Sequence, residues 1–205
     1  MVNANRSDPQ DPRSLPPTAR RILDAAQAIL AERGYAELTM SALERESGAN
    51  RALVSYYFGS KAGLVATLID GLFMNPQVGL VEEIRTEPQG AERTARFLEW
   101  QQRVSANDRT NRMLYELLPH ALHDPEVRAR FAEEYRAYRE VDADCLTTSA
   151  TGRGSDDGDA MAAVAIAVVE GLAIQRALDP EGFDHERAWQ FWRALIGSFL
   201  GLPPA

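Results

Sequence analysis

ILDAAQAILAERGYAELTMSALERESGANRALVSYYFGSKAGLVATLI, residues 22–69, decides the fold of this 205-residue chain. Its apolar residues recur at helical spacing, beginning with Ile22, Ala25, Ala26, Ile29 and Leu30. That pattern predicts a first helix over Thr18–Arg33, stopped by Gly34. Thr39 is a capping residue, with Leu38 and Leu43 at staple spacing across it, so a second helix starts there and ends at Gly48. Asn50 caps a third, short helix reaching Phe58-Gly59, with Ala49 and Val54 again at staple spacing. Ser60 caps a fourth, from Lys61 to about Met74. Two short helices around a tight Ser47-Gly48-Ala49-Asn50 turn have helix-turn-helix proportions.

Outward from this segment, helix signals continue and no alternating strand pattern is convincing. Further helices are expected at Ala91–Ala106, at Arg109–Leu118 with Pro119 bending or ending it, and from Asp124-Pro125 to Leu146. Thr147–Asp159 reads as a flexible connection. Two more helices follow at Ala160–Leu178 and Asp184–Leu200. The expectation is all-α, with about nine helices. Met1–Pro17 has no periodicity and four prolines. It reads as a mobile arm, although Arg6, Arg13 and Arg20 lie where they could reach a polyanion.

Composition narrows the function classes. The net charge is −8, which argues against whole-protein affinity for nucleic acid. The charge is unevenly spread, near +1 over residues 1–61 and near −9 beyond. Only the first third is free of net repulsion from a polyanion. Lys61 is the one lysine, which hints at a GC-rich source. One cysteine, Cys145, excludes an intrachain disulfide and reads as a packing residue. No apolar run reaches membrane-spanning length and the N-terminus lacks a signal-peptide core, so a cytoplasmic, membrane-free protein is expected.

The third helix carries the chemistry. A helix entering the major groove needs small residues for close approach and a few donors for base edges. Arg51, Ala52, Ser55 and Tyr56 supply these, with Arg51 at the N-terminal end where base contacts concentrate. Tyr56 and Tyr57 offer hydroxyls to phosphate. Thr39 and Lys61 stand at helix starts, where backbone N–H groups and the helix dipole favour an anion.

This segment resembles the tetracycline-repressor (TetR) family. The resemblance rests on Arg33-Gly34-Tyr35, Leu38-Thr39, Ser47-Gly48-Ala49 and the Tyr57-Phe58-x-Ser60-Lys61-x-x-Leu64 signature. It implies that residues 18–61 bind DNA and that 62–205 hold a ligand pocket and a dimer interface. It also implies DNA-contact roles for Thr39, Arg51, Tyr57 and Lys61. Val169-Glu170-Gly171-Leu172 and Leu178-Asp179-Pro180 look like the family's pairing helices. Two positions depart from the family pattern. Ser55 stands where Tyr is common, and Glu44 stands where a small Ala is favoured, so the Glu44 carboxylate must reach solvent or pair, with Arg45 or Arg51 as candidates.

The implied function is a ligand-responsive regulator, expected to be a repressor, that binds a palindromic operator in double-stranded DNA as a homodimer. A small-molecule effector of unknown identity would release it. Pocket candidates are Trp100, Gln101, Met113, Glu116, His120, Tyr135 and Gln175. The last two helices carry more apolar surface than one small subunit can bury. Val168, Leu172, Trp189, Trp192, Leu195, Ile196 and Phe199 are therefore expected to form a two-fold four-helix interface. No cofactor, resident metal or catalytic residue is expected. The alternatives are a metal-dependent helical enzyme using Glu116, His120 and His123, which share a face at zinc spacing if Pro119 does not break the helix, and a helical interaction module that binds no DNA.

Overall fold

The computed structural model describes residues 15–73, 77–146 and 158–202, with side chains from residue 80 onward in the second stretch. Residues 1–14 of the expected arm and 147–157 of the expected connection lie outside the described residues. Within them are ten α-helices and one 3-10 turn, and no strand. The helices are α1 (Pro17–Arg33), α2 (Met40–Ser47), α3 (Arg51–Phe58), α4 (Lys61–Phe73), α5 (Gln77–Thr86), α6 (Ala91–Ser105), α7 (Asp108–His123), α8 (Pro125–Cys145), α9 (Gly158–Leu178) and α10 (His185–Leu200). The 3-10 turn is Tyr35–Glu37.

Two expectations change. The first is α5, which follows Asn75-Pro76 and was not anticipated. It has ten residues, and Val81 and Ile84 are the buried positions that hold it. So short an apolar stripe in a charged segment forms a stable helix only through tertiary packing. The second is α7, which runs through Pro119 to His123 rather than stopping at Leu118. Proline removes one backbone hydrogen bond and crowds the preceding turn. Burial of Leu114, Leu117 and Ala121 on both sides of it keeps the helix continuous.

The chain divides into two compact units. The first combines residues up to 75 with 112–134, and the second combines 76–111 with those from 135 onward. The break therefore falls inside α7 and inside α8. In the first unit, Ile22, Ile29 and Leu30 of α1 are fully buried with Leu38, Leu43, Leu64 and Ile69. Arg130 of α8 pairs with Asp70 of α4, and also with Glu133 at 2.6 Å and Glu134 at 3.3 Å. In the second unit, Phe97, Trp100, Val141, Ala165, Val169, Trp189 and Ile196 form one core. Gln102 donates to Glu186 at 2.7 Å, fastening α6 to α10. Among the described helices, α9 is long and apolar enough to cross a membrane, but its Ala162, Ala165, Ile166, Val169 and Ala173 are buried in its own unit.

Candidate nucleic-acid interface

The α2–α3 turn is built by side chains that satisfy the backbone groups helices leave open at their ends. Thr39 Oγ1 accepts from the Ala42 N–H at 3.2 Å. Gly48 closes α2 in the left-handed region at φ 65°, where a side chain would be strained. The Ser47 hydroxyl donates to Leu43 O at 2.6 Å and accepts from the Ala49 N–H at 3.1 Å. Asn50 Oδ1 accepts from the Leu53 N–H at 3.0 Å and so starts α3. Glu44 is half-buried, and its carboxylate pairs with a backbone group. Its Oε1 accepts from the backbone N–H of Arg51, the first residue of α3. The departure at Glu44 thus becomes a second cap, placing a carboxylate at the positive end of the helix. Arg21 Nε donates to Ser47 O at 2.8 Å and ties the turn to α1.

Packed this way, α3 has two faces. Val54 and Phe58 are buried, whereas Arg51, Ala52, Ser55 and Tyr56 are exposed and Tyr57 is half-buried. Tyr56 is 79% exposed, an unusual state for a large aromatic residue. Its ring meets Tyr57 edge-on at 5.0 Å. Leu53 belongs with the exposed set. The solvent face therefore offers a guanidinium, a methyl, a hydroxyl and a phenol over two turns.

At the start of α4, Ser60 Oγ accepts from the Gly63 N–H at 3.0 Å. Gly63 is required by close approach, since a Cβ there would lie 2.0 Å from Phe58 O. Lys61 heads this helix with its Nζ 4.2 Å from the centroid of the Tyr35 ring. Burial lowers the Lys61 ammonium below its ordinary range. An ammonium held on an aromatic face at a helix N-terminus can grip one phosphate in a defined position.

Tyr35 is the residue that sequence reasoning missed as part of this assembly. The His120 ring stacks on it at 3.6 Å, and its backbone N–H donates to Glu116 Oε2 at 2.9 Å. Burial, and then the charge of Asp124, raise the Tyr35 phenol. Only the Arg33-Gly34-Tyr35 motif hinted at its importance.

The remaining anticipated residues separate by unit. Glu116, His120 and the buried Met113 belong to the first unit, with α2 and α3. Trp100, Gln101, Tyr135 and Gln175 belong to the second. Trp100 and Gln101 are buried, Tyr135 donates its hydroxyl to Glu170, and Gln175 is exposed, donating to Gly171 O at 3.3 Å. Glu116 and His120 share a face of unbroken α7, yet both are engaged by Tyr35. Among the described residues no three His, Cys, Asp or Glu side chains are placed to hold a metal ion. Of the anticipated pairing residues, Trp189 and Ile196 turn into their own core and Trp192 is largely covered. Val168 and Leu172 are half-buried, and Leu195 and Phe199 are about half exposed.

Two family models match the chain. Residues 22–68 match the N-terminal domain of the bacterial regulatory proteins, tetR family, and residues 88–201 match the BetI-type transcriptional repressor C-terminal domain. Solved structures of similar fold include a transcriptional regulator from Pseudomonas aeruginosa PAO1, 19% identical, with 93% of this chain and 94% of that one covered and a TM-score of 0.76. Another is a transcriptional regulator from Saccharomonospora viridis in complex with choline, 23% identical, with 89% and 95% covered and a TM-score of 0.69. A third is NalD, the secondary repressor of the MexAB-OprM multidrug efflux pump in Pseudomonas aeruginosa, 16% identical, with 88% and 94% covered and a TM-score of 0.63. No curated protein matches.

Proposed function

The chain belongs to the TetR family of bacterial transcriptional regulators, and from that premise we propose that it is a cytoplasmic repressor that binds a palindromic operator as a homodimer. The observation that carries this reading is α3 itself, capped by Asn50 and Glu44, seated by Val54 and Phe58, and presenting Arg51, Ala52, Ser55 and Tyr56 to solvent. Arg51 reads a base edge and Ala52 allows close approach. Ser55 and Tyr56 complete the groove contact, while Thr39, Tyr57 and Lys61 hold phosphates. The Thr39 hydroxyl accepts from Ala42 and keeps its own proton for a phosphate oxygen. Residues 18–61 thus read DNA, and 62–205 sense and pair.

Pairing would use α9 and α10. Val164, Phe191, Leu195 and Phe199 of these helices are large apolar residues left exposed. They edge two shallow grooves, of about 680 Å³ and about 340 Å³, which share Trp192 and Leu195. A second copy presenting the same surface would cover both, as an isologous interface does. Two recognition helices about 34 Å apart would then meet successive major grooves. The effector would bind in the second unit and bias the protein between states of different operator affinity. The choline held by a regulator of similar fold supports a small-molecule effector.

The test is retention of the DNA flanking the chain's own gene, measured over a range of salt concentrations. A complex surviving excess unrelated DNA is expected. No retention at any salt would reject the reading.

A further inference from the structure

Inside the second unit, one stripe of α8 carries Tyr135, Tyr138 and Asp142, spaced to share a face. Asp142 is fully buried, as is Gln101 of α6. Gln101 Nε2 donates to Asp142 Oδ2 at 2.8 Å. The other oxygens of this pair, Asp142 Oδ1 and Gln101 Oε1, have no hydrogen-bond donor among the described residues. Buried acceptors are almost always paired, so two orphans on one pair mark a place where a donor is missing. Tyr138 lies one turn before Asp142 on this stripe, and burial, then the charges of Asp142, Glu170 and Tyr135, raise its phenol. The Trp100 ring lies 5.9 Å from the Tyr138 ring, and Phe97 stacks on Trp100 at 5.3 Å. The arrangement is a carboxyl group and an amide carbonyl, both lacking donors, beside aromatic rings.

We propose that Asp142 and Gln101, walled by Trp100 and Tyr138, bind the protonated nitrogen of a primary or secondary amine, and that this amine is the effector. The proposal rests on the regulatory reading above for the effector role, and on the two orphan acceptors for the ligand class. An N–H pair satisfies both acceptors at once, and its positive charge displaces the proton that burial otherwise keeps on Asp142, leaving a carboxylate opposite the ammonium. Rings beside a cation attract it through their faces. A fully alkylated ammonium has the charge but no N–H, and an alcohol has a donor but no charge. Burial raises the Asp142 carboxyl well above its ordinary range, opposed by the Gln101 amide, and a cation beside it would favour the ionised form that burial disfavours.

The experiment uses the full chain and four probes: benzylammonium, N-methylbenzylammonium, benzyltrimethylammonium and benzyl alcohol. Calorimetry and thermal unfolding read binding, and retention of the gene-flanking DNA is measured with and without each probe. The first two probes are expected to bind, to raise the Tm and to release DNA. The trimethyl probe and the alcohol should bind at least about tenfold more weakly, as loss of a charge-assisted hydrogen bond implies. Asp142→Asn keeps the shape and should cost the amines a similar factor, and Gln101→Met, which removes the second acceptor, should weaken them independently. Equal affinity for all four probes, no binding by any, or unchanged amine affinity in folded Asp142→Asn overturns the proposal. An amine that binds but leaves the DNA complex intact rejects the effector role. Loss of DNA retention without any probe rejects the regulatory reading instead, and leaves the calorimetry to judge the amine site.

Discussion

The His120 ring stacks on Tyr35 with 3.6 Å between ring centroids, and the Lys61 Nζ lies 4.2 Å from the centre of that same Tyr35 ring. One aromatic side chain therefore joins α7 to the residue proposed to grip phosphate. His120→Ala removes the stack and should destabilise the protein by about 0.5–1.5 kcal/mol. It should also weaken DNA retention while leaving Arg51 unaltered. Thermal unfolding and a DNA titration check both effects. Unchanged DNA affinity in a destabilised His120→Ala would limit the stack to a packing role.

Arg51 and Lys61 are expected to fail differently. Arg51→Ala should cost about 1–3 kcal/mol of operator binding and little on unrelated DNA, because a forked base contact is lost. Lys61→Ala should weaken both DNAs alike and reduce the salt slope by about one. Titrations on the two DNAs at several salt concentrations separate a base reader from a phosphate clamp.

Gly63→Ala should destabilise by at least about 2 kcal/mol, because its Cβ would stand 2.0 Å from the Phe58 carbonyl oxygen. The strain falls on the backbone joining α3 to α4, so α3 must shift. Gly171, which has nothing within 4 Å of an added Cβ, provides the control. Gly171→Ala should leave the Tm unchanged or raise it slightly. Equal Tm values for the two variants would contradict the close packing.

Leu195→Arg places a charge on a surface residue that is 53% exposed and edges both α9–α10 grooves. It should leave the fold of one subunit intact and abolish pairing, since an unpaired charge cannot be buried cheaply. Sedimentation should then report a monomer, with operator affinity reduced by orders of magnitude. A dimer of wild-type stability would exclude this face.

Asp142 gives a pH dependence. Its carboxyl is raised in the folded protein, first by burial, so the native state binds a proton that the unfolded state has released. Stability should therefore fall as pH rises from the ordinary carboxylate range toward the raised value, and level off beyond it. Below that range both states are protonated and the penalty vanishes. Asp142→Asn should be more stable than the wild type at pH 7 and match it in acid. Denaturation midpoints across pH measure this difference, and an Asp142→Asn curve parallel to the wild type would exclude a raised carboxyl.

Local chemistry made the DNA-binding segment legible. The caps at Thr39 and Asn50, the glycine stop at Gly48 and the apolar spacing of α1 act within a few residues, and the structure uses each as expected. Glu44 was legible only as a problem, because its solution is the N–H of a residue seven positions away. Pro119 was misleading. Its local penalty is real, but burial of Leu114, Leu117 and Ala121 outweighs it. The short α5 was invisible because tertiary packing alone sustains it.

By itself, the sequence determined the helical class, the capped α2–α3 pair, the exposed chemistry of α3 and the separation of charge along the chain. These depend on neighbours within one or two helical turns, whose effects are additive and near. Tertiary structure alone decided that Glu116 and His120 meet Tyr35, 81 residues from Glu116, and that Asp142 faces Gln101 across 41 positions. It also decided that Trp189 is buried while Phe191 is not. A long-range partner is chosen by how whole helices pack, and no periodicity along one helix records which side chain its neighbour will present.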